Sequence, residues 1–131
     1  MSTTSAYNDF DGERRRSMME DHSFWPLGQT KTQNDFEWLD NTLARAYWDS
    51  QTRTYNNWRC SEPIPVEPGW VLRFNAPAAS KGYNYFYNVD EHLAGGAFNR
   101  DGDITVPDWA TSMRLSQNKS QNLTMTIRRI K

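Results

Sequence analysis

The chain has 131 residues, 15 basic against 16 acidic side chains for a net charge of −1, and an aromatic content of 14%. That length fits one domain and buries roughly two-thirds of the unfolded surface, enough for a self-sufficient core. The even charge balance argues against a protein built on phosphate contacts, which would carry a clearly basic face. Low hydropathy, with no run near 18 apolar residues, argues against a membrane-spanning helix. Six Trp, six Tyr and six Phe set the chain apart from disordered sequences and shift burial from aliphatic to aromatic side chains.

Residues 1–33 read as a polar N-terminal arm with scattered anchors at Tyr7, Phe10, Phe24 and Trp25. Asp11 is placed to cap two helical turns over GERRRSMMED. The arm is expected to gain order by packing on its own domain or on a neighbour. The basic clusters Arg14-Arg15-Arg16 and Arg128-Arg129 with Lys131 are read as solvated terminal charge, with a nucleic-acid or partner tail as the alternative. Without an apolar N-terminal stretch a secretory signal is not expected. The single Cys60 forms neither an internal disulfide nor a multi-cysteine zinc site, so the expected compartment is the cytoplasm or a particle assembled there.

From Asn34 the pattern predicts one packed helix over about 34–48. Asn34 and Glu37 have capping-box spacing, and Phe36, Leu39, Leu43 and Ala46 or Tyr47 recur at three- and four-residue steps. From Thr52 the period changes to two. Strands are predicted at Thr52 to Trp58, at Trp70 to Phe74 and at Tyr83 to Val89, with the Pro63, Pro65 and Pro68 connector kept out of any central ladder. A hairpin is predicted between Ala97-Phe98 and Asp103 to Val106 across the Asp101-Gly102 turn. Met113 and Leu115 alternate, as do Leu123, Met125 and Ile127. The expected fold is a β-dominated α+β domain over 34–131, a small antiparallel, Greek-key-like sandwich of short strands carrying one packed helix.

Residues 71–115 resemble a single βγ-crystallin Greek-key motif. Phe74 and Gly82, eight positions apart, match its aromatic and glycine positions, and Asp108-Trp-Ala-Thr-Ser-Met-Arg-Leu115 is similar to its closing stretch, with Thr111 and Ser112 at the serine positions. Pro107 stands where the motif's first acidic or amide residue is expected, and the likeness covers about a third of the chain. It implies calcium binding, a structural role, or inhibition of a metalloprotease.

Two constellations carry chemistry. Asn99, Asp101, Asp103 and Asp108 surround Gly102 in a pattern that supplies oxygen ligands to calcium, yet Ala97 occupies the first loop position and offers none. An Asp-Gly hairpin turn with solvated carboxylates explains the same residues without a metal, so no cofactor is expected beyond a possible calcium ion. His22 and His92 match no zinc motif, and no nucleophile elbow or phosphate-cradling loop occurs. Tyr83, Tyr85 and Tyr87 share one face of a strand, a pattern suited to partner binding if that face is outside and to core packing if it is inside. The functional expectation is a non-catalytic protein–protein interaction or structural subunit of a larger assembly, a virion-type particle included. Its partner would be another protein or a second copy, with neither nucleic acid nor a membrane. The alternative is a calcium-binding or protease-inhibitory βγ-crystallin-like module, with an enzyme ranked last.

Overall fold

The structure, a computed structural model, describes residues 25–76 and 83–131. Eleven short strands and one 3-10 turn, Gln33–Asp35, make up the regular structure among these residues. The strands are β1 (Thr30–Thr32), β2 (Trp38–Ala44), β3 (Thr52–Ser61), β4 (Ile64–Pro65), β5 (Val71–Asn75), β6 (Tyr85–Asn88), β7 (Leu93–Ala94), β8 (Gly102–Thr105), β9 (Ser112–Arg114), β10 (Ser116–Asn118) and β11 (Thr126–Arg129). They form three small sheets, in the orders β1-β11-β5-β8, β10-β3-β2 and β4-β9-β6-β7. Every recorded pairing is antiparallel.

No helix runs over 34–48: Trp38–Ala44 is strand β2, and residues 45–48 lie in the loop that follows it. Only Gln33–Asp35 coils, and its capping box is Thr32 with Asp35, two positions earlier than the Asn34–Glu37 spacing suggested. Asp40, Asn41 and Thr42 are weak helix formers. The ladder to β3 gives this segment the backbone hydrogen bonds a helix would have supplied, from Trp38 opposite Ser61 to Ala44 opposite Thr52. The apolar positions 36, 39 and 43 therefore mimicked a helical stripe while belonging to an extended chain.

The ladder is not regular. Its register shifts between Asp40 and Thr42, so that Asn41 alone faces the β3 stretch Tyr55 to Trp58. Asn41 and Asn57 both take left-handed backbone conformations, at φ 49° and 70°. Asn tolerates this region better than any other side-chain-bearing residue except Asp. Asn57 N–H donates to Asn41 Oδ1 at 3.3 Å, and Asn57 Nδ2 to Asn118 Oδ1 at 3.2 Å, which pins the bulge between β2 and β10.

The core joins the first and third sheets. Leu72, Phe74 and Ile127 of the first and Phe86 and Met113 of the third are all buried in one cluster. Phe98 fills the space between, stacked on Phe86 at 4.6 Å and edge-on to Phe74 at 6.0 Å. The two middle strands of the first sheet, β5 and β11, behave as predicted from Trp70-Val-Leu-Arg-Phe74 and LTMTIRRI, with Leu72, Phe74, Met125 and Ile127 inward. Removing one such buried aliphatic side chain from water is worth about 1.5–3 kcal/mol.

Residues 25–33 of the expected arm belong to the described fold. Trp25 is 2% exposed inside the core, and β1 pairs with β11 from Thr30 opposite Arg128 to Thr32 opposite Thr126. The arm residues 1–24, including the short helix expected after Asp11, lie outside the described residues, as does Gly82. The predicted hairpin across Asp101-Gly102 also differs. β8 pairs with β5, whereas Phe98 makes an isolated bridge to Asn84. Gly102 takes the left-handed conformation that an Asp-Gly pair favours, φ 72°, but it opens β8 opposite Phe74 and does not turn the chain back on residues 97–98.

Candidate functional site

The three tyrosines of the predicted ladder are placed at three depths. Tyr83 is 39% exposed, Tyr85 is half-buried, and Tyr87 is fully buried. Strict alternation hid this because β6 lies between β9 and β7 and is covered on both faces where Phe86, Tyr87 and Asn88 stand. The loop joining β2 to β3 closes over Tyr87, whose hydroxyl donates to the carbonyl of Arg45 at 2.7 Å. Burial pushes the Tyr87 hydroxyl well above the usual phenol range, so it stays protonated and serves as a donor. Tyr87 is thus a core residue, and Tyr83 and Tyr85 are the members of the ladder left at or near the surface.

Two residues that sequence alignment by period did not single out join them. Trp58 packs edge-on against Tyr83 at 5.2 Å, and Tyr55 lies 6.4 Å from Trp58. Tyr85 in turn lies 6.3 Å from Tyr87. Burial, and secondarily the neighbouring Tyr83, raises the Tyr85 hydroxyl above its ordinary pKa. The ring contacts of this aromatic strip run from exposed Tyr55 through Trp58 to Tyr83, and a separate contact joins Tyr85 to the anchor Tyr87. The bulge creates the strip: in an unbroken strand Tyr55 and Trp58, three apart, would project from opposite faces. The signal in the sequence was the Asn56-Asn57 pair between the two rings, since Asn is suited to the left-handed turn that a bulge needs. Arg53 lies over the Tyr55 ring at 5.3 Å, giving the exposed end of the strip a positive edge.

Tyr47 on the β2–β3 loop, Val89 on the β6–β7 loop and Leu93 at the start of β7 are also exposed. The two loops are joined by Trp48 and His92, whose rings stack at 3.9 Å. His92 is therefore a packing residue of a loop contact, held at φ 59°.

The acidic loop is spread along the edge strand. Asn99, Asp101, Asp103 and Asp108 are all exposed; Asn99 and Asp101 precede β8, Asp103 lies within it and Asp108 lies beyond its end. Asp103 is already paired: Arg73 Nε donates to its Oδ1 at 2.8 Å and Arg73 Nη2 to its Oδ2 at 3.1 Å. The bidentate guanidinium holds the Asp103 carboxyl below the usual range. Among the described residues, no group of three His, Cys, Asp or Glu side chains converges closely enough to hold a metal ion. Cys60 is fully buried, and burial pushes its thiol up, away from the reactive thiolate. Among the described residues no helix is long and apolar enough to cross a membrane.

The residues of the Greek-key resemblance are divided between sheets. Phe74 lies on β5 of the first, and the stretch ending in Leu115 makes a turn and then β9 of the third. Compared with known proteins, the chain matches no family model, no curated protein and no solved structure.

Proposed function

We propose that the protein is a non-catalytic interaction domain, a structural or assembly subunit that holds a protein partner, or a second copy of itself, on the strip Tyr55, Trp58, Tyr83 and Tyr85. The observation that carries this reading is the strip itself. Tyr55, Trp58 and Tyr83 form a run of ring contacts at or near the surface, with Tyr55 and Tyr83 more than a third exposed and Tyr85 two positions beyond Tyr83, and the β3 end of the strip is an excursion fixed by three asparagines. Tyr and Trp give large rigid contact area at small entropic cost and are enriched where partners meet. A rigid bulge supplies them already oriented, which lowers the ordering cost of binding. The site offers no paired acid and base and no activated nucleophile, so its chemistry is that of burial and hydrogen bonding.

The test is site-specific photo-crosslinking in cells that make the protein, with the crosslinking amino acid at Tyr83 and, for comparison, at Leu27. One dominant adduct from position 83, absent from position 27 and lost in a Tyr55→Ala background, supports the reading. No adduct from position 83, or the same adducts from both positions, refutes it.

A further inference from the structure

The turn Gln33–Asp35 and the proline-containing connector between β3 and β4 face one another across a groove of about 160 Å³. Its floor is apolar, from Phe36, Pro63, Ile64 and Pro65, and its rim carries Asp35, Glu37 and Glu62. All three carboxylate residues are exposed. Glu37 and Glu62 continue the β2–β3 ladder beyond the Trp38–Ser61 pair, with Glu62 N–H donating to the Glu37 carbonyl at 2.9 Å. Like charges on opposed positions of a ladder destabilise it. Among the described residues the ion pairs are Arg73–Asp103 and Lys119–Asp40, neither of which includes Glu37 or Glu62. The three carboxylates are also too dispersed to share one metal ion. Several cationic groups spaced along a chain suit them better, with aliphatic stems lying on the proline and phenylalanine floor.

This chain carries such a segment. The described fold begins at Trp25, whose buried ring lies 6.2 Å from that of Phe36, so the chain enters the fold beside the groove. Arg16 stands nine positions before Trp25, and Arg14 and Arg15 precede it. Nine residues reach at most about 30 Å when extended, and about 17 Å as a flexible coil. A tether this short presents its end at an effective concentration on the order of millimolar, favouring the chain's own segment over one from another molecule. We propose that the groove is the docking site of the chain's own Arg14-Arg15-Arg16 segment, its guanidiniums pairing with Glu37 and Glu62 across the Phe36–Pro63 floor. The inference is independent of the aromatic strip.

Paramagnetic relaxation in the full-length protein tests it, with a nitroxide on Ser17→Cys; Cys60 is fully buried and escapes the label. In 20 mM salt the amide signals of Glu37, Glu62 and Ile64 should lose at least half their intensity relative to the reduced label. Replacing Arg14, Arg15 and Arg16 with Gln should restore them, and so should 0.5 M salt, which shortens screening to a few ångströms. Full intensity in the labelled protein, with the spectrum still that of a folded chain, overturns the proposal. Broadening that survives the Gln substitutions also overturns it. Broadening of an isotope-labelled chain by a separate spin-labelled chain in the same tube assigns the groove to a second copy's arm and overturns the own-chain assignment.

Discussion

At the scale of single residues, the tyrosine run separates a hydroxyl used inside from rings offered outside. Tyr87 donates a hydrogen bond to a backbone carbonyl that also receives Tyr47 N–H at 3.0 Å. Tyr87→Phe therefore leaves that carbonyl one remaining partner, and the expected loss is about 1 kcal/mol of unfolding free energy in urea, the ordinary net value of one such bond. A change under about 0.3 kcal/mol, a small fraction of that value, would mean that the hydroxyl does not hold the loop. Asp103 makes a separate prediction in pH. Its folded pKa is depressed by Arg73, and Arg73's own pKa is raised by Asp103, so both partners report the same favourable pairing. A depressed carboxyl pKa contributes stability above its unfolded value, near 3.9, and loses it as pH falls through the folded value. Asp103→Asn should flatten this acid limb in melting temperatures taken between pH 5 and pH 2, and an unaltered slope would contradict the pairing. Because both side chains are well exposed, the effect at neutral pH should be small.

At the scale of elements, the bulge in the second sheet is the feature on which the exposed rings depend. Asn57 at φ 70° occupies a conformation that β-branched residues adopt only at a cost of about 1–2 kcal/mol. Asn57→Val adds the loss of its amide contact to Asn118, so a destabilisation of about 2–3 kcal/mol is expected by chemical denaturation. Asn57→Gly should lose only the amide contact, about 1 kcal/mol. Equal losses in the two variants would show that backbone conformation is not what Asn57 supplies. The strands with clear alternation, β5 and the Met125–Ile127 stretch, were legible because one side of each faces a single core. The segment 34–48 was not, because Phe36, Leu39 and Leu43 satisfy a helical period equally well and only the partner strand decides. The aromatic strip was half legible: Tyr83 and Tyr85 stood out as a pattern, whereas Tyr55 and Trp58 share a surface only through the out-of-phase step at Asn57. The acidic loop was misleading in the opposite sense, since a pattern of alternate carboxylates does not reveal that Arg73, 30 positions away, already holds Asp103.

At the scale of the molecule, three sheets this small can act as one body only if they are tied together, and polar groups do much of that tying. β9 leads directly into β10, carrying the chain from the third sheet into the second through Leu115, whose N–H donates to Ser61 Oγ at 3.0 Å. Asn84 is fully buried beside β6, donates to the Phe98 carbonyl at 2.6 Å and accepts from Ser116 N–H of β10 at 3.1 Å. Ser116 Oγ then accepts from Ala44 N–H at the end of β2, at 3.0 Å. One amide therefore links the third sheet, the Phe98 segment and the second sheet. Asn84→Ala would leave a buried N–H and a buried carbonyl without these partners, at about 1–3 kcal/mol each, so the expected loss is about 2–5 kcal/mol. If the sheets are one cooperative unit, far-ultraviolet dichroism and tryptophan fluorescence should trace the same single transition in the parent chain and, at lower denaturant, in the variant. Trp25 and Trp70 report the first core, and Trp38 and Trp58 the second sheet, so fluorescence samples both. Two separated transitions in the parent would show that the second sheet folds apart from the core. Separation appearing only in Asn84→Ala would identify this side chain as the link that makes them unfold together.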